Sequence, residues 1–106
     1  MAKFLIQTSY TPEGNKGLRK DKASGRLAAA TQAVQSLGGK LESMHFALGA
    51  DDVVLIVDLP DVSTAAAFSS AVSASGLVRP RTTALLTVAE MDEALSKSPD
   101  YRGPGQ

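Results

Sequence analysis

The sequence predicts an α+β domain whose four strands and two helices follow the order β-α-β-β-α-β, with a short third helix at the end. Three observations carry this prediction. Residues 53–57 are five consecutive apolar residues, mostly β-branched, which is typical of a buried central strand. Apolar residues recur at helical spacing over residues 23–37. Glycines, prolines and acidic residues separate the predicted elements. This order is that of the ferredoxin-like sandwich, an antiparallel sheet with two helices on one face.

The composition limits the classes of partner. At 106 residues the chain is expected to form one domain, and 11 basic residues balance 11 acidic ones. A neutral chain gives no electrostatic argument for binding nucleic acid or an anionic membrane, so neither is expected as a partner. The absence of cysteine excludes disulfides and thiolate chemistry and fits a cytoplasmic protein. The apolar stretch at residues 4–6 is too short for a signal peptide.

The first strand and helix are predicted from alternation and capping. Residues 3–9 form the strand, and its helix-facing side chains are predicted to be Phe4, Ile6 and Thr8. Thr11 and Pro12 resemble a helix start, although the glycines that follow weaken the helix as far as residue 22. That segment is either a short turn of helix or a mobile loop, and residues 23–37 are predicted to be helical.

The remaining elements are a second strand at residues 40–48, a helix at 62–75, a fourth strand at 77–86 and a final helix to about residue 97. Alternation in the second strand predicts that Leu41, Ser43 and His45 share one face. Pro80 indicates that the fourth strand lies at an edge of the sheet. The domain is expected to span residues 1–97, followed by a flexible tail at 98–106.

Two helices cover only one face of a four-stranded sheet. The third strand is nevertheless apolar on both sides, which favours a second copy of the chain as the cover for the other face. The sequence therefore predicts a homodimer or higher oligomer of the dimeric α/β barrel type.

Several short segments, in this order, resemble the GYD domain family over about residues 1–95. They are Tyr10-Thr11-x-Glu13-Gly14, Arg26, the Leu-Gly-Gly-Lys-Leu-Glu run at 37–42, Gly49-x-x-Asp52-Val53-Val54, Leu59-Pro60-Asp61 and the segment 83–87. The resemblance implies a ferredoxin-like fold and a compact homo-oligomer, and it brings no established reaction. Asp51 stands where the family usually has the tyrosine for which it is named.

Five polar residues are candidates for ligand binding, and these are Tyr10, His45, Asp52, Arg81 and Thr83. The only histidine, His45, is either a general base or haem ligand, or a polar residue at a subunit interface. Asp52 either orients a substrate or bonds backbone amides in a turn. Arg81, with Thr83 beside it, either grips an anion or protects an edge strand. Tyr10 either offers its hydroxyl to a pocket or packs against the first helix.

The motifs leave three functions open. The first is a homo-oligomeric domain that binds or senses a small molecule between the bare sheet face and its partner. The second is a small enzyme of the dimeric α/β barrel type, either a cofactor-free oxygenase or a haem-handling protein, and this rests on fold analogy alone. The third is a structural assembly unit. No metal site is expected, because His45 has no accompanying ligand pattern, and the sequence identifies no cofactor.

Overall fold

A computed structural model describes residues 1–106 and contains one four-stranded antiparallel sheet and three helices. The elements are β1 (Ala2–Tyr10), α1 (Pro12–Ser36), β2 (Lys40–Phe46), β3 (Val53–Leu59), α2 (Val62–Ala74), β4 (Val78–Leu85) and α3 (Val88–Leu95). The strand order β2-β3-β1-β4 puts β1 and β3 in the centre and β4, with Pro80, at an edge. The predicted α+β class and ferredoxin-like arrangement are confirmed.

The core lies between the sheet and the first two helices. Its buried apolar side chains come from β1, β3, α1 and α2, and they are Phe4, Ile6, Val34, Val53, Leu55, Val57, Leu59, Ala65 and Phe68. Each fully buried large side chain contributes about 1.5–3 kcal/mol relative to an exposed one. Phe4, Ile6 and Thr8 are all buried on the helix side, as alternation in β1 predicts.

Strand β2 contains a bulge that changes which side chains share a face. The register with β3 shifts between Leu41 and Ser43. Leu41 therefore lies on the helix side and packs against the core with Met44, whereas Ser43 and His45 point to the opposite side. The prediction that Leu41 shares a face with Ser43 and His45 is wrong, because simple alternation does not account for an inserted residue.

Helix α1 includes the glycine-containing segment whose structure the sequence left open. Thr11 caps it, with the Thr11 side chain accepting the Gly14 backbone N–H at 3.2 Å, and Pro12 begins it. Gly14 is needed there, since a Cβ would lie 1.9 Å from the Leu77 carbonyl oxygen. The helix breaks at Lys22, whose φ of 66° and ψ of 170° are not helical.

Helix α3 projects away from the rest of the molecule. All eight of its residues are exposed, and its start carries a capping box between Thr87 and Glu90. The radius of gyration is 16.8 Å, whereas a compact domain of this length has roughly 13 Å. Helix α3 therefore forms an arm that extends from the domain, and the rest of the chain does not pack on it. No helix combines the length and the apolar character needed to cross a membrane.

Candidate functional site

The side of the sheet turned away from the helices is the first candidate site, and we call it the open face. It consists of Leu5, Gln7, Ser9, Ser43, His45, Val54, Ile56, Arg79, Arg81 and Thr83. Its centre is apolar, because Leu5, Val54 and Ile56 come from the two central strands. Its two edges are polar, because His45 and Arg81 come from the outer strands. The three central side chains remain partly exposed, while α1 and α2 pack on the other side of the sheet.

The strand register arranges three of the predicted ligand residues across the open face. His45 pairs with Val54, Val54 with Gln7, and Gln7 with Arg81, so His45 and Arg81 end one row. Three strand spacings separate these ends by about 14 Å. Thr83 follows Arg81 on the same side of β4. Within one chain, His45 and Arg81 are therefore too far apart to contact the same small polar group.

Ion pairs lie at both ends of the open face. At one end, the Lys3 ammonium bonds to the Glu42 carboxylate and, at 3.0 Å, to the Asp58 carboxylate. The hydrogen bond to Glu42, followed by that to Asp58, raises the pKa of Lys3 above its ordinary value. These bonds tie β1 to both β2 and β3 at this end of the sheet.

At the other end, Arg81 pairs with Asp51. The Asp51 side chain is only 12% exposed, whereas that of Arg81 is 64% exposed, so the acid is held in the protein and the guanidinium reaches solvent. The Ser9 hydroxyl also donates to the Asp51 carboxylate, at 3.4 Å. Asp51 thus holds Arg81 at the rim of the open face.

Asp52 anchors the loop before β3 to the end of β1. Its carboxylate accepts the Tyr10 backbone N–H at 2.8 Å, and its own N–H donates to the Thr8 carbonyl at 2.8 Å. Its carbonyl accepts the Ala47 N–H at 2.8 Å. These are the contacts of a residue that bonds backbone amides in a turn. They also fix the backbone position of Tyr10.

Tyr10 lies on the helix side, apart from the other predicted ligand residues. It borders a cavity of about 470 Å³ between α1, α2 and the start of β4, which we call the interhelical cavity. It also borders an inner cavity of about 100 Å³ and an open groove beside β2. The structure therefore divides the five predicted residues between two sides of the sheet.

The sequence did not predict the interhelical cavity. Small residues on the two helices leave the space, and Gly17, Ala33 and Ala71 are among those that line it. The apolar wall includes Leu18 and Phe68, neither of which was a candidate site residue. The available signal was the abundance of glycine and alanine in α1 and of alanine and serine in α2, which gives these helices too little side-chain volume to fill the space between them.

No group of three or more histidine, aspartate or glutamate side chains is placed to hold a metal ion. No buried side-chain nitrogen or oxygen lacks a hydrogen-bond partner. The polar side-chain atoms near the candidate sites therefore either have a hydrogen-bond partner within the chain or are exposed to solvent.

The family comparison covers nearly the whole domain. The GYD domain model matches residues 4–95. No curated protein matches the chain, and no solved structure matches it.

Proposed function

Since the chain belongs to the GYD domain family, we propose that it is a homodimeric domain that binds or senses a small molecule between two open faces. The observation that carries the proposal is the composition of the open face, an apolar centre enclosed by polar and ion-paired edges. This is the arrangement of a specific protein interface, in which an apolar centre is surrounded by a polar rim.

The apolar centre supports the dimer. Leu5, Val54 and Ile56 lie close together on β1 and β3, and all three are partly exposed. Removing apolar surface from water lowers the free energy of the assembly by about 25 cal/mol per Å². A second copy offers the same three residues, so a twofold axis through the centre would bury both sets.

The arm at the end of the chain supports the same arrangement. Val88, Met91 and Leu95 recur at helical spacing on α3, and all three are exposed. A helix of two turns with no packing partner is marginal in water. In the proposed dimer, these three residues pack on the partner copy, since α3 follows directly from the edge strand β4.

The polar ends of the row supply the ligand contacts. When a twofold axis stacks two open faces, the His45 edge of each copy lies close to the other copy's sheet. The Arg81 edge of each copy does the same. His45, Arg81 and Thr83 then line the margins of the interface, where a ligand with hydrogen-bond acceptors and an acidic group finds donors. The proposal assigns no reaction to these residues.

Native mass spectrometry of the full chain at micromolar concentration tests this function. We expect a dimer that carries a reproducible additional mass after purification from a rich expression host. The additional mass should disappear in the double variant His45→Ala, Arg81→Met. It should persist in Arg79→Met, which removes a guanidinium from the same strand face outside the row.

A monomeric mass would contradict the dimer. An additional mass retained by the His45→Ala, Arg81→Met variant would contradict the open face as its site. Circular dichroism of each variant establishes that the sheet and helices are intact before the masses are compared.

A further inference from the structure

We propose that the interhelical cavity is a second binding site, for an amphipathic carboxylate whose apolar chain enters the cavity and whose carboxylate binds Arg26. The site lies on the helix side of the sheet, opposite the open face. It is formed by a single chain, so it goes beyond the proposed dimer pocket and does not depend on it.

The size and lining of the cavity suit an apolar chain. Its volume of about 470 Å³ falls within the range of roughly 300–1,000 Å³ that is usual for small-molecule sites. Most of its lining is apolar, with Leu18, Phe68 and Val72 on the facing helices. The inner cavity shares Phe68 and Val72 and continues to Leu55 in the core. The two cavities therefore lie next to each other, with the smaller one on the side nearer the sheet.

Arg26 is the only basic residue on the lining of either cavity. Its guanidinium has one charged neighbour, the Asp21 carboxylate at 3.7 Å, which is beyond hydrogen-bond distance. The Arg26 side chain is 33% exposed and that of Asp21 is 48% exposed, so the acid is the better solvated partner. The donors of Arg26 are free to bind a ligand carboxylate through two parallel hydrogen bonds.

Tyr10 supplies a second polar group to both cavities. Its hydroxyl makes no hydrogen bond within the chain, while its backbone is fixed by the bond to the Asp52 carboxylate. An apolar cavity with a few convergent polar groups is the usual form of a small-molecule site. Asp21, Ser36 and Ser75 are the other polar residues on the lining. A ligand carboxylate would replace the Asp21 carboxylate as the partner of Arg26, the one cation of the lining, with Tyr10 as a further donor.

Gly17 allows the cavity to be filled without removing a contact. It lines the cavity, its backbone is helical, and a Cβ added there would meet nothing within 4 Å. Leucine at this position should occupy part of the space that the ligand needs. Alanine should leave most of that space open, so Gly17→Ala is the matched control.

The test is a titration of the ¹⁵N-labelled full chain with sodium octanoate, followed by NMR, with octan-1-ol as the uncharged comparison. We expect saturable shifts around Tyr10, Gly17 and Val72. Gly17→Leu should weaken octanoate at least about tenfold, and Gly17→Ala should bind as the wild type. Arg26→Gln should weaken octanoate at least about tenfold and leave octanol unchanged, because a charge-assisted bidentate contact is lost.

Three results would overturn the inference. The first is the absence of saturable octanoate shifts in the wild type, and the second is unchanged affinity in both Gly17→Leu and Arg26→Gln. The third is equal weakening of octanoate and octanol by Arg26→Gln, which would make Arg26 a structural residue. If Gly17→Leu fails to fold, Ala71→Leu fills the cavity from the opposite helix. Because the site needs one chain only, a variant that dissociates the dimer should still bind octanoate.

Discussion

At the scale of single residues, Asp61 makes the stability of the start of α2 depend on pH. Its carboxylate accepts the Thr64 hydroxyl at 2.7 Å and the Thr64 backbone N–H at 2.8 Å. These bonds, the side-chain bond first, lower the pKa of Asp61 below its ordinary value of 3.8. A lowered pKa means that the stabilisation is fully present above the ordinary value and is lost as the pH falls through the lowered one.

The prediction compares wild type with Asp61→Asn, since asparagine also caps helices but does not titrate. We expect the wild type to have the larger free energy of unfolding at neutral pH. The difference should begin to shrink as the pH falls below 3.8 and should be lost as the pH falls through the lowered pKa of Asp61, where the carboxylate of the folded protein is protonated. Urea unfolding at a series of pH values measures it. A difference that stays constant across that range would show that the charge of Asp61 contributes nothing.

Contacts between nearby residues are the ones that the sequence predicts well. The helix caps at Asp61 and Thr87 each involve a partner three residues away, so the sequence alone identifies them. The pair between Asp51 and Arg81 spans 30 positions and depends on the pairing of β4 with β1. The sequence shows both charged residues, but without the strand register it gives no reason to predict that they form an ion pair.

At the scale of elements, the departure from the predicted pattern is the β2 bulge, whereas the break in α1 at Lys22 agrees with the predicted start of a regular helix at residue 23. A bulge is one extra residue in a strand, and alternation has no signal for it until the partner strand is known. Helix α1 forms through its glycines because Gly14 packs closely against the Leu77 backbone. The break at Lys22 holds a lysine in a conformation that strongly favours glycine.

Helix α3 carries the prediction at this scale. If its apolar side packs on a partner copy, Met91→Glu should bury an unpaired charge and raise the dimer dissociation constant at least about tenfold. Ala89→Glu adds the same charge on the other side of the helix, about 160° round the axis from Met91 and about 100° from Val88. It should leave the constant near its wild-type value. Sedimentation equilibrium measures both, and equal constants for the two variants would contradict the docking of α3.

At the scale of the whole molecule, the layers separate two kinds of surface. The helix side contains the core and the interhelical cavity, and the other side presents the open face. The order of strands and helices was predictable because each element carries its own pattern of apolar residues. The cavity was not, because its volume depends on how far apart α1 and α2 pack on the sheet, and no local pattern encodes that distance.

The most direct test of the account is whether Ile56, at the centre of the open face, holds two copies of the chain together. Sedimentation velocity at micromolar concentration should show a dimer for the wild type and a folded monomer for Ile56→Asp, because an unpaired buried charge is costly. Val62→Asp, which places the same charge at an exposed apolar residue of α2, should remain dimeric. A monomeric wild type, or a dimer that persists in Ile56→Asp, would contradict assembly through the open face.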